Sequence, residues 1–137
     1  AVADTPFDFR VATPTGARID SADAQLRHAG GYDHCYVLRS STPDTSGLRA
    51  PCMLDEPRSG RRLRVWTDRP GVQFYSGNFL DGTVIGSGGV PYRRHAGLCL
   101  ETQAFPDAPH HASFPSIVLE PGRPYRAVTL WRFEVLP

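Results

Sequence analysis

Apolar and polar residues alternate with a period of two along most of this chain. Tyr32 to Leu38, Arg62 to Thr67, Val72 to Ser76, Gly97 to Gln103 and Tyr125 to Val135 are rich in aromatic and β-branched side chains, and they change character at each step, as half-buried strands do. Breakers separate these stretches: Pro43, Pro51 and Pro57 with Ser59-Gly60, then Asp68-Arg69-Pro70-Gly71, Gly86-Ser87-Gly88-Gly89, Pro106 to Pro109, and Pro121-Gly122. The one helical suggestion, Ser21 to His28, is too short to stand alone. There is no internal repeat and no linker, so residues 1–137 read as a single all-β domain, an antiparallel β-sandwich.

Successive side chains of a strand point to opposite faces, so the same pattern sorts residues by side. In Gly97 to Gln103, Glu101 shares a face with Cys99 and Gln103, while Leu98, Leu100 and Thr102 lie opposite. Gln73 and Tyr75 share a face of their strand, and Asp33 is set against Tyr32, His34 and Tyr36. Three strands thus each offer one acid or amide.

Composition narrows the chemistry. All 15 basic residues are arginine, which excludes a Schiff-base lysine or a P-loop lysine within this chain. A net charge of +1 with dispersed arginines lacks the basic stripe that binds nucleic acid. Three cysteines without a C-x-x-C pair argue against a disulfide framework or a thiolate zinc site and for a reducing, cytoplasmic setting. No apolar run approaches the ~20 residues of a membrane helix. The 13 glycines and 13 prolines suit many turns between short strands.

Glu101, centred in Leu98-Cys99-Leu100-Glu101-Thr102, is costly to bury unless paired or working. Partial desolvation would raise its pKa toward that of a useful general base; the competing reading is a Glu on the solvent face of an edge strand or paired with an arginine. Asp33 reads either as a second acid or hydroxyl ligand, or as a strand-end residue after Gly30-Gly31. Glu101 with Asp33 would also suit a two-carboxylate glycosidase. The five histidines lack H-x-x-x-H or H-E-x-x-H spacing, and no metal is expected. Trp66, Tyr75 and Trp131 could stack on sugar rings, or serve as core aromatics of a sandwich.

Taken jointly, several segments resemble the galactose mutarotase family of aldose 1-epimerases. They are Thr5-Pro6-Phe7-Asp8-Phe9-Arg10, Gly30 to Tyr36, Ser59-Gly60-Arg61, Val65-Trp66-Thr67, Pro70 to Phe79, Leu100 to Pro109, Phe114 to Leu119, and Pro121-Gly122 followed by Tyr125. The resemblance implies a large β-sandwich that opens a free aldose ring and closes it again, exchanging α and β anomers of a monosaccharide such as galactose or glucose without a cofactor. It also implies that Glu101, in L-E-T-Q, takes the proton of the anomeric hydroxyl. Asp33, in G-Y-D-H, and Gln73, in V-Q-F-Y, would bind sugar hydroxyls.

In that family the acid that protonates the ring oxygen is a His in an N-H-x-Y-[FW]-N-L motif. No such motif stands here, and His34 and His95 do not match its position. The resemblance therefore implies the C-terminal portion of a full enzyme, incomplete at the N-terminus. Alone, such a chain is expected to be inactive and to self-associate through exposed strand edges. The alternative from another class is a catalytically silent, carbohydrate-binding sandwich; a glycosidase accessory domain is a third.

Overall fold

The computed structural model describes residues 1–39 and 47–136, with backbone alone at 50 and 51. Pro43 lies outside the described residues. One α-helix and six strands follow in order: α1 (Ala24–Ala29), β1 (Asp33–Val37), β2 (Arg49–Glu56), β3 (Arg61–Thr67), β4 (Gly71–Tyr75), β5 (Cys99–Gln103) and β6 (Thr129–Val135). Single 3-10 turns occupy Thr15–Ala17 and Ala108–His110. The strands form two antiparallel three-stranded sheets, ordered β1-β4-β5 and β2-β3-β6. Among the described residues no helix is long and apolar enough to cross a membrane.

Strand β2 is a correction to the pattern reading, which took Pro51 and Pro57 as breakers. Pro51 sits inside β2 because the strand is at a sheet edge and its register against β3 shifts between Arg49 and Cys52, where a missing N–H is tolerated. Pro57 does break the chain, in the turn that joins β2 to β3. There the Glu56 carboxylate accepts from the Arg58 and Ser59 amides at 3.0 and 2.7 Å. The last strand begins at Thr129, not Tyr125. Val128 O is instead taken by the Asp68 amide and the Thr67 hydroxyl at 3.2 and 3.1 Å. The helix starts at Ala24 because Asp23 caps it, accepting from the Gln25 amide at 2.8 Å. It ends where Gly30 takes the left-handed conformation, at φ 70°.

The chain divides into two compact units, Ala1–His34 with Gln73–Glu101, and Cys35–Val72 with Thr102–Pro137. In the first, Tyr32 is fully buried among Phe7, Phe9 and Phe74, with centroids 6.1, 5.2 and 5.1 Å away. Each such pair contributes ~0.5–1.5 kcal/mol beyond the area it buries. The Tyr32 hydroxyl donates to Pro6 O at 3.0 Å, so the buried ring leaves no polar atom unpaired, and burial pushes its pKa up.

In the second unit, the β2-β3-β6 sheet gathers most of its ion pairs on one face. Arg62 pairs with Asp55 through Nε and Nη2 at 2.6 and 2.7 Å. Arg64 and Arg132 stand directly opposite each other, a repulsive arrangement relieved by the Glu134 carboxylate, which forms an ion pair with each, 2.9 Å from both Nε atoms. The other face carries Leu63, Val65, Trp131, Phe133 and Val135. Val65 is 1% exposed, but Trp131 is 52% and Phe133 79% exposed at the β6 edge. Thr102, Thr129 and Thr67 hydroxyls form a chain at 2.6 and 3.4 Å.

Gly71 is buried, and a Cβ there would lie 2.9 Å from Cys35 Sγ and 3.2 Å from Phe105 Cε1. Gly71→Ala is expected to destabilise by about 1–3 kcal/mol through overpacking. Combining it with Cys35→Ala should recover part of that loss in thermal denaturation. An unchanged melting temperature for Gly71→Ala would show that the gap is not a packing requirement.

Candidate functional site

Two backbone bonds flank β1 and β4, from Ser76 N–H to Tyr32 O at 3.0 Å and from Leu38 N–H to Pro70 O at 2.9 Å. Both obey one antiparallel register, which sets Asp33 across from Tyr75 and puts Asp33, Gln73 and Tyr75 on one face. Gln73 Nε2 donates to Asp33 Oδ1 at 2.7 Å. The other end of that amide, Gln73 Oε1, is buried and has no hydrogen-bond partner among the described residues. A buried acceptor left over is a place for a donor such as a hydroxyl.

Glu101 lies on β5, and the order β1-β4-β5 puts the strand of Gln73 between those of Asp33 and Glu101. Cys35, two residues past Asp33, hydrogen-bonds the side chain of Gln103, two residues past Glu101. Alternation then places Asp33 and Glu101 on the same face of the sheet. Glu101 is exposed, whereas Leu100 and Thr102 are more sheltered. The desolvated carboxylate envisaged from the apolar segment is therefore not what stands here, because the pleat turns Glu101 away from its apolar neighbours. The arginine ion pairs of the described residues engage Asp8, Asp55, Asp68, Glu120 and Glu134, not Glu101. Its near neighbour is Cys99, whose thiol is pushed up first by burial and then by the Glu101 charge.

The histidines take other roles. The His34 ring packs against Phe7, at 4.6 Å, on the face opposite Asp33, and its Nδ1 accepts the Asp33 amide at 3.0 Å. His95 Nδ1 is tied to Ser76 O at 2.7 Å. His110 and His111 both lean on Asp107 at the surface. Among the described residues no group of three His, Cys, Asp or Glu could hold a metal ion. Of the aromatics proposed to stack on sugars, Tyr75 shares the Asp33 face and stacks on the exposed Phe79 ring, with centroids 6.2 Å apart. Trp131 belongs to the other sheet.

The pattern reading missed Ser76 and Asn78, which are nearly buried and grip the chain just before Asp33. Their signal was available: a Ser and an Asn flanking a Gly at a strand end are suited to bonding backbone groups.

Residues 1–132 match the family model described as aldose 1-epimerase. The chain belongs to the aldose 1-epimerase family. It is 41% identical to the galactose mutarotase of Bos taurus over 98% of its length, and 36% identical to the aldose 1-epimerase of Escherichia coli over 97%. It spans 37% and 38% of those two proteins, so the comparison covers just over a third of a full-length epimerase. Among solved structures it is similar to an aldose epimerase homologue from C. elegans, with a TM-score of 0.77 at 25% identity, covering all of this chain and 39% of that one. A galactose 1-epimerase from Lactobacillus acidophilus matches with a TM-score of 0.68 over 99% of this chain and 37% of that one. The two three-stranded sheets are thus part of the epimerase fold.

Two outcomes test this geometry without any turnover. Burial pushes the His34 imidazole below its ordinary value, opposed by the Asp33 and Asp23 charges. The unfolded chain then binds the proton more readily than the folded one. Stability is therefore retained above the unfolded value of ~6.5 and falls as pH drops through it. Melting temperatures should decline between about pH 7.5 and 5.5, and His34→Asn, which keeps an acceptor near Nδ1, should flatten that decline. Separately, Glu101→Gln should speed alkylation of the exposed Cys99 at mildly alkaline pH, because it removes the neighbouring charge. An unaltered labelling rate would mean that the two side chains do not share a face as described.

Proposed function

We propose that this protein takes part in aldose 1-epimerase chemistry, interconverting the α and β anomers of a free aldose such as galactose or glucose in the cytoplasm. Asp33 and Gln73 hold the sugar hydroxyls, and Glu101 is the base. The Asp33–Gln73 pair carries this reading. Its hydrogen bond orients the carboxylate at 2.7 Å, and it leaves the buried Gln73 Oε1 free to accept from a hydroxyl, on the strand next to that of Glu101. The exposure of Glu101 suits a base that must meet a substrate.

In the reaction the Glu101 carboxylate takes the proton of O1–H. The O1 electron pair forms the C1 carbonyl as the C1–O5 bond breaks, and O5 receives a proton from an acid. Rotation about C1–C2 and the reverse sequence close the other anomer. Each proton transfer is worth ~10²- to 10⁴-fold. His34 is packed against Phe7 on the opposite face and His95 is engaged with Ser76 O, so neither is offered as that acid. This favours, as a second reading, a sugar-binding chain that does not turn its ligand over by itself.

Polarimetry and titration separate the two. Glu101→Gln should abolish anomerisation in a protein that turns over, while galactose affinity stays within about tenfold, since one hydrogen bond at most is altered. Asp33→Asn and Gln73→Ala should weaken affinity more than they lower the melting temperature. Undiminished anomerisation in Glu101→Gln would remove the base assignment, and tight binding without rotation in the parent chain would favour the second reading.

A further inference from the structure

The residues that shape the Asp33–Gln73 pair include two with no place in the chemistry. Ser76 and Asn78 follow β4 and are 5% and 7% exposed. Between them they satisfy both backbone groups of Tyr32, the residue before Asp33. The Tyr32 N–H donates to Ser76 Oγ at 2.9 Å, and Tyr32 O accepts from the Ser76 amide and from Asn78 Nδ2, each at 3.0 Å. The same Asn78 Nδ2 donates to Ala29 O at the end of α1, at 2.9 Å, and Asn78 Oδ1 accepts the Ser76 hydroxyl proton at 2.6 Å. Every polar atom of the two side chains is engaged within this network, the Ser76 hydroxyl lying also 3.3 Å from Tyr32 O.

Gly31 makes the close approach possible. Its φ of 142° lies where side chains are rare, and a Cβ there would sit 2.4 Å from Asn78 Oδ1 and 2.8 Å from Ser76 Oγ. Gln73 is three residues before Ser76, on the strand that Ser76 directly follows, so whatever holds Tyr32 to Ser76 also decides where Asp33 falls relative to Gln73. A slip of one residue would send Asp33 to the face of Phe7 and Phe74.

We propose that Ser76 and Asn78 are positioning residues that lock the register of β1 against β4 and so present Asp33 and Gln73 as one preformed pair for a sugar. The last step rests on the reading of that pair given above. The lock itself does not.

The test uses galactose titration and NMR on the full chain. Ser76→Ala should raise the galactose Kd about three- to tenfold. In an Asp33→Ala background the same change should add less than about twofold, because a positioning residue acts through the group it positions. Without sugar, the Gln73 side-chain amide signals should shift in Ser76→Ala in the direction they take in Asp33→Ala. Ser76→Thr, which keeps Oγ, should restore both.

A lower melting temperature with unmoved Gln73 signals and unchanged Kd would overturn the proposal, leaving a structural role alone. So would a loss of affinity that persists undiminished in the Asp33→Ala background. If Asp33→Ala binds galactose as the parent does while the Gln73 signals still respond to Ser76, the lock stands and the sugar reading of the pair falls.

Discussion

A strand that slips by one residue presents every side chain on the wrong face, so the fate of β1 is decided where its backbone is first gripped. That grip is on Tyr32, whose amide and carbonyl are bonded by Ser76 and Asn78 and whose ring is buried by Phe7, Phe9 and Phe74. Polar and apolar interactions converge on one residue. The directional bonds select the register, and the aromatic burial supplies most of the stabilisation, since a neutral hydrogen bond nets only ~0.5–1.5 kcal/mol. The two glycines before it, one left-handed at φ 70° and one at φ 142°, let the helix end and the strand begin with three residues between them.

The β2-β3-β6 sheet solves a different problem. Strand β3 carries Arg61, Arg62 and Arg64 and β6 carries Arg132, and the sheet gathers Arg62, Arg64 and Arg132 onto one face with Asp55 and Glu134 between them. These pairs are partly solvated and contribute little each. Their effect is on pattern: with these charges on one side, Leu63 and Val65 lie on the other, which carries Arg61 and Glu56 at one end and extends to the exposed Trp131 and Phe133 at the β6 edge.

The epimerase reading distributes its chemistry over three adjacent strands, each supplying one group. A sheet holds such groups more firmly than a loop, because ladder bonds restrain each backbone position on both sides. The amide of Gln73 is the hinge of the arrangement, with one end spent on orienting Asp33 and the other without a hydrogen-bond partner among the described residues.

Much of this was legible in the residues themselves. Alternation determined five of the six strands and the faces of Asp33, Gln73 and Glu101, because the side-chain period of a strand is two whatever it packs against. The wording of Pro70 to Phe79 and Leu100 to Pro109 pointed to the family that residues 1–132 match. What alternation could not determine depends on neighbours. Strand β2 escaped because a proline is a breaker in a central strand and acceptable at an edge bulge, and only the sheet order says which applies. The exposure of Glu101 was likewise set by which side of β5 is covered. Ser76 and Asn78 are ordinary turn residues until the chain returns from far upstream to place Tyr32 against them, a contact across more than 40 positions that no local pattern encodes.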